Sequence, residues 1–345
     1  MSNATKGTRS TSEAIERGLE FIYRFGSEKT SFNDYGSFLI CCFALLAASS
    51  RDSKLRLLGK ERAKQFLKRW LRSHPSLPTN ASSDQLLDHV LVRYAERRIG
   101  VTHSLNAAAI NAVAHAFSVL ELLGFDPVKE PPPSDLPYTC ACGFQNVRGR
   151  KSCRQCRRRL LNRSRYRVWW EALANTYVSE RSGVWFGARY EDVLQWAPSM
   201  RPYPAPADED EEFLRDAIYA ATHVVYTLND YGTYRLSPKW LPREFEFLKA
   251  NVEAACSRDD PEVVGELLDS LKAFGLGPGD PFVARGSAFL LENQNDDGSW
   301  GSSDESVRTR CHTTWTAIDG LRDYAWRGER LSRPDLRTKL KLWAR

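Results

Sequence analysis

Helical periodicity is the feature that most limits what this chain can become. Apolar residues recur every three or four positions through 13–25, 35–48, 60–72, 84–98 and 106–123. The pattern resumes through 213–228, 243–256, 262–274, 281–292 and 313–326. That spacing gives a helix one apolar stripe to bury. No alternating run of the kind a half-buried strand needs occurs outside the cysteine segment. Gly124, Pro242, Pro261 and the glycines of 275–279 fall where the stripes stop, as helix punctuation does. The expected fold class is all-α.

A chain of 345 residues with 42% hydrophobic content can bury a large core. Ten tryptophans suit either an aromatic-lined cavity or simple core filling. Two proline-rich stretches interrupt the helices. Residues 127–137 lead into a cysteine cluster and read as a linker into an inserted module. Residues 197–212 end in an acidic run, 208–212, that suits the first turn of the helix after it. The expected organisation is a first helical part (1–130), an insertion with a basic flank (131–166) and a second helical part (167–345).

The first residues hold no apolar run that could serve as a signal peptide. The longest apolar stretch, 38–48, is shorter than the roughly 20 residues a membrane-spanning helix requires. A cytoplasmic location without membrane insertion is expected. Eight cysteines in that setting point to metal ligands and thiols rather than disulfides.

Four of those cysteines are two short pairs, Cys140 with Cys142 and Cys153 with Cys156. Pairs at this spacing form the two knuckles of a zinc ribbon. A closed four-thiolate site has no open position, so the expected Zn²⁺ is structural and helps to fold a module too small for its own core. The net charge of +6 gathers here, since half of residues 148–167 are Arg or Lys. Arg148, Arg150, Lys151, Arg154, Arg157, Arg158 and Arg159 could grip a nucleic acid or an acidic partner protein. They would equally balance the negative charge of the thiolates.

The last helical pair carries a specific resemblance. Gln294, Asp297, Gly298, Ser299 and Trp300 lie in the segment NQNDDGSWG, and HTTWTAIDGL follows from His312. Over roughly the last 50 residues the chain resembles the glutamine–tryptophan repeats of triterpene cyclases and the inner helices of protein prenyltransferase β subunits. The resemblance implies an α/α toroid of helical hairpins. It also places His312 where the prenyltransferases have a zinc ligand. The chain has neither the aspartate motif that protonates substrates in the cyclases nor the Asp-x-Cys pair of the prenyltransferase zinc site, which leaves both activities unsupported.

Three of the six histidines hold similar places before or at a helical run: His103, His223 and His312. Inner helices of a toroid begin near one mouth of its cavity, so these imidazoles would converge there and could hold Zn²⁺, Fe²⁺ or Cu²⁺. Asp230, seven residues after His223, would lie two turns along the same face and could ligate the ion or orient a ligand. Glu262 and Glu266 are weaker candidates for the same cavity, and His89 and His115 are substitutes. NDYG occurs at both 33–36 and 229–232, so Asp34 and Asp230 could face each other across the ring.

The leading expectation is a metal-dependent enzyme of specialised metabolism acting on a small or peptidic, partly apolar substrate. The alternatives are a metal-free terpenoid cyclase or prenyl-binding protein, and a non-catalytic adaptor that uses the basic ribbon. No Walker loop, dinucleotide fingerprint or nucleophile elbow is present.

Overall fold

The computed structural model describes residues 10–101, 105–133, 144–146, 152–157, 164–205 and 211–344. These residues are mostly helical and contain no strand. In chain order the helices are α1 (Thr11–Ser27), α2 (Lys29–Ser49), α3 (Ser53–Ser73), α4 (Ser83–Ile99), α5 (Ala107–Ala114), α6 (Val119–Leu123) and α7 (Arg165–Ser182). They continue with α8 (Tyr190–Leu194), α9 (Glu211–Leu228), α10 (Pro242–Ser257), α11 (Pro261–Ala273), α12 (Pro281–Glu292), α13 (Val307–Leu321) and α14 (Arg337–Trp343).

Local chemistry sets many of these ends. Ser82 with Gln85, and Ser118 with Glu121, form capping boxes that occupy the orphan N–H groups of α4 and α6. Pro242, Pro261 and Pro281 occupy the first turns of α10, α11 and α12, where a missing N–H costs nothing. Gly100, Gly124 and Gly183 close α4, α6 and α7 in the left-handed conformation.

The structure departs from the expected helices in several ways. Residues 106–123 split into α5 and α6, because Ser118 caps a fresh helix. The run 313–326 begins earlier, at Val307, and stops at Leu321, after which Tyr324 bridges to Ser50. Helix α7 has no counterpart among the expected segments; its arginine-rich start belongs by composition to the basic flank, yet Tyr166, Trp169, Leu173 and Tyr177 are buried. Helix α2 also extends past the apolar run 38–48 and is long and apolar enough to cross a bilayer. Here much of it is buried, packed against α1, α3 and α4.

The packing partners follow one another along the chain. Helix α2 packs on α4, α4 on α7, α7 on α9, α9 on α11 and α11 on α13, while α1 contacts both α13 and α2. Rings meet directly between α2 and α13: Phe43 lies 5.9 Å from Trp315, and Phe38 lies 5.7 Å from His312, centroid to centroid.

The loop from Asn293 to Gly301 clasps α1 to the last helical pair. Gln294 donates to the carbonyls of Ala14 (2.8 Å) and Gly298 (3.0 Å). Trp300 is fully buried, and its indole N–H donates to Leu290 O at 2.7 Å. Arg17 and Arg24 reach from α1 to the carbonyls of Asn295, Asp296 and Asp297. Gly298 (φ 90°) cannot gain a side chain, because a Cβ would sit 2.5 Å from Arg17 O.

Cys153, with Phe144 and Cys156 packed on it, forms a small apolar cluster separate from the main core.

Candidate functional site

Six helices contribute to one cavity of about 200 Å³. Phe38, Cys41, Cys42 and Leu45 come from α2, Leu91 and Tyr94 from α4, and Val178 from α7. His223 and Tyr226 come from α9, Glu266 and Asp269 from α11, and His312, Trp315, Thr316 and Asp319 from α13.

On the cavity wall, His312 pairs with a carboxylate that does not itself line the cavity. His312 Nδ1 lies 3.2 Å from Glu262 Oε1. The same carboxylate accepts from the Tyr219 hydroxyl and from Thr313 Oγ1 (3.2 Å), and Arg215 stands 3.8 Å away. Burial works against ionised Glu262, but the bond and charge of His312, the Tyr219 hydroxyl and Arg215 outweigh it and hold the carboxyl at about 2. Burial likewise disfavours charge on His312, and Glu262 overcomes it, so the imidazole stays above its ordinary value.

His223 is the opposite case. It packs against Trp170 at 4.5 Å, and its Nδ1–H donates to Tyr219 O at 2.8 Å. Burial, with the charge of nearby His312, pushes it down to about 4. It is therefore neutral near pH 7, with Nε2 as the basic nitrogen.

Glu266 follows Glu262 by one helical turn and is 6% exposed. Its Oε2 is buried without a hydrogen-bond partner, and burial raises the carboxyl to about 7. Asp269 continues the same face of α11. Burial and the neighbouring Asp319 carboxylate raise it as well.

The structure brings His223 and His312 to one cavity, although His223 lies well inside α9 rather than at its start. His103 lies outside the described residues. Asp230 does not line the cavity. Helix α9 ends at Leu228, and Asp230 and Tyr231 take left-handed φ values of 56° and 46°, so the helical face does not continue to Asp230. Its carboxylate accepts from Arg98 Nη1 (2.8 Å) and Tyr177 OH (2.5 Å), joining α4 and α7 to the turn after α9. Asp34 is exposed within α2. His89 meets Trp70 edge to face (4.7 Å) and His115 is exposed; neither lines the cavity. Among the described residues no three His, Cys, Asp or Glu side chains are grouped to hold one metal ion.

Cys140, Cys142, Arg148, Arg150, Lys151, Arg158 and Arg159 lie outside the described residues. Of the remaining ribbon residues, Cys153 and Cys156 flank a turn, with the Arg157 N–H donating to Cys153 O at 2.9 Å and Arg157 at φ 60°. Asn146 Nδ2 donates toward Cys153 Sγ at 3.4 Å, and Asn146 Oδ1 accepts from Arg154 N at 2.8 Å. An amide pointed at sulfur suits a thiolate ligand. Arg154 and Arg157 are exposed.

Sequence reasoning missed Tyr219, Arg215, Asp269, Asp319 and Arg322. One signal was available: Glu262, Glu266 and Asp269 recur at helical spacing within the otherwise apolar run EVVGELLDSL, so burying that helix must bury acids. Comparison with family models, curated proteins and solved structures finds no match for the chain.

Proposed function

We propose that the chain is an enzyme that moves protons on a small, partly apolar substrate in its helical cavity. The observation that carries this reading is a divergence. Glu262 and Glu266 are one turn apart on α11, yet one is held at about 2 and the other at about 7. Titratable neighbours driven apart in this way mark acid and base roles. Glu262 stays ionised and favours the charged form of His312, so His312 serves as the acid. Glu266, poised near neutrality, and neutral His223 can accept a proton. A titration tests this directly. In protein labelled with ¹³C at the glutamate carboxyls, one signal should titrate near 7 and vanish in Glu266→Gln. A Glu266 that titrates at its ordinary 4.5 would remove the base.

The α/α toroid belongs to the same proposal. It is supported by the succession of packed helices, by α1 touching both α2 and α13, and by the Gln294–Trp300 loop binding the first helix to the last pair. The likeness to terpenoid cyclases and protein prenyltransferases stands as the proposed ancestry of that ring. A setting in specialised metabolism goes with it.

Two metals enter as proposals. The turn at Cys153 and Cys156 supports a structural zinc ribbon inserted between α6 and α7, with exposed Arg154 and Arg157 open to an anionic partner. A second reading puts a catalytic ion in the cavity. It is favoured by the two imidazoles: Nδ1 of His223 is engaged by a backbone carbonyl and Nδ1 of His312 by Glu262, which leaves both Nε2 atoms as donors. A bound ion there would polarise a substrate oxygen or acidify water. Elemental analysis of the native protein should return about one zinc per chain for the ribbon alone. A second metal, lost in His223→Ala, would favour the cavity ion, and a metal-free protein would sink the ribbon.

A further inference from the structure

Three carboxylates line the cavity, Glu266, Asp269 and Asp319, and among the described residues only Asp319 is directly ion-paired. Arg322 Nε donates to Asp319 Oδ1 at 2.5 Å, while its other nitrogens reach Ser50 Oγ (3.2 Å) and Ser49 Oγ (3.1 Å). Lys272 lends its charge to Asp269 but directs its Nζ hydrogen bonds to the backbone carbonyls of Asp319 (3.0 Å) and Arg322 (2.6 Å). That leaves Glu266 Oε2 and Asp269 Oδ1 buried with no hydrogen-bond partner, on side chains of residues 6% and 8% exposed. They stand three residues apart on one face of α11.

A folded protein seldom leaves two such acceptors empty, because each carries a desolvation penalty that a donor would cancel. The surrounding walls favour one kind of donor. Phe38, Tyr94, Tyr226, Tyr231, Trp315 and Tyr324 present ring surface to the same space. Aromatic faces attract a cation and accept an apolar body, and they have little to offer an anion. An ammonium group has several N–H donors, enough for both carboxylates at once. A cavity of about 200 Å³ limits the molecule to a compact one.

We propose that the cavity takes a compact molecule whose apolar body carries a protonated amine, with Glu266 and Asp269 as the carboxylates that receive it. This rests on the same cavity as the acid–base reading and narrows its substrate to amines. The ammonium meets the acids on α11 and the rings enclose the rest.

Three probes of nearly equal shape test it by calorimetry on the full chain at pH 8: benzylammonium, benzyl alcohol and benzoate. Benzylammonium should bind at least about tenfold more tightly than the alcohol, the scale of one charge-assisted hydrogen bond, and benzoate should bind more weakly than either. Asp269→Asn should erase that preference and leave the alcohol's affinity unchanged; Glu266→Gln gives the same readout should Asp269→Asn fail to fold. Equal affinity for amine and alcohol would overturn the proposal. So would Zn²⁺ that abolishes benzylammonium binding and is itself bound only while Glu266 is present, since the acids would then belong to a metal. The carboxyl titration described above is made without ligand. A Glu266 that titrates near 7 beside an absent amine preference would therefore reject this inference and leave the acid–base centre standing.

Discussion

Glu266→Gln should make the protein more stable at pH 8, by up to about 3 kcal/mol, and make almost no difference at pH 4. The sign follows from the direction of the shift. The carboxyl has an ordinary value of 4.5 and is raised to about 7 in the folded chain. Below 4.5 both folded and unfolded states hold the proton, and the group contributes no penalty. Between 4.5 and 7 the unfolded chain gives up its proton while the folded chain keeps it, so stability falls as pH rises. Above 7 the loss is complete, at about 1.4 kcal/mol for each unit between the two values. Glutamine cannot ionise and keeps the low-pH stability throughout. Urea denaturation of both proteins at pH 4 and pH 8 gives the comparison. A variant that is less stable at pH 8 would mean that Glu266 has a partner and is not a strained, poised acid. A gain in stability paired with loss of amine binding would be the expected exchange between function and folding.

Gly265→Ala should destabilise the protein by about 3 kcal/mol, far more than a helical glycine-to-alanine change usually does. In an ordinary helix the substitution is favourable. Here α11 crosses α13 so closely that a Cβ on Gly265 would lie 2.4 Å from Thr316 O and 2.5 Å from its carbonyl carbon. Gly320 faces it from α13, where a Cβ would come within 2.9 Å of Gly265 Cα. The obstacle is backbone on both sides, so no side chain can swing away; one helix must move. That movement has a chemical consequence, because the same two helices carry Glu262 and His312. With the helices pushed apart, the 3.2 Å contact opens and His312 loses the charge that raises its pKa. Histidine NMR on Gly265→Ala should show the imidazole titrating lower than in the parent, beside a reduced denaturation midpoint. Parent-like stability and an unmoved His312 would contradict the close crossing.

Much of the scaffold was legible as local chemistry. Apolar residues at helical spacing, prolines in first turns and glycines at helix ends act over a few residues, so a linear pattern carries them. The Gln294–Trp300 loop was picked out by its resemblance to a known repeat, and its local bond, from the Trp300 indole to Leu290, lies within ten positions. Its grip on Ala14, 280 positions away, was not. Helix α7 escaped notice because arginines at its start resemble a solvated flank, and only neighbours in space bury its aromatic side.

By itself, the sequence determined most of the helices, several of their ends, the cysteine pairs and His312 as a residue of interest. Tertiary structure alone decided what the charged groups do. Asp230 answers to Arg98 across 132 positions, and Glu262, a lesser candidate by spacing, becomes the partner of His312. The physical reason is range. Capping and periodicity are settled by atoms a turn away, whereas ionisation and hydrogen bonding in a cavity depend on which helices meet there. The burial that raises Glu266, and the His312, Tyr219 and Arg215 contacts that hold Glu262 down, exist only once those helices have closed around them.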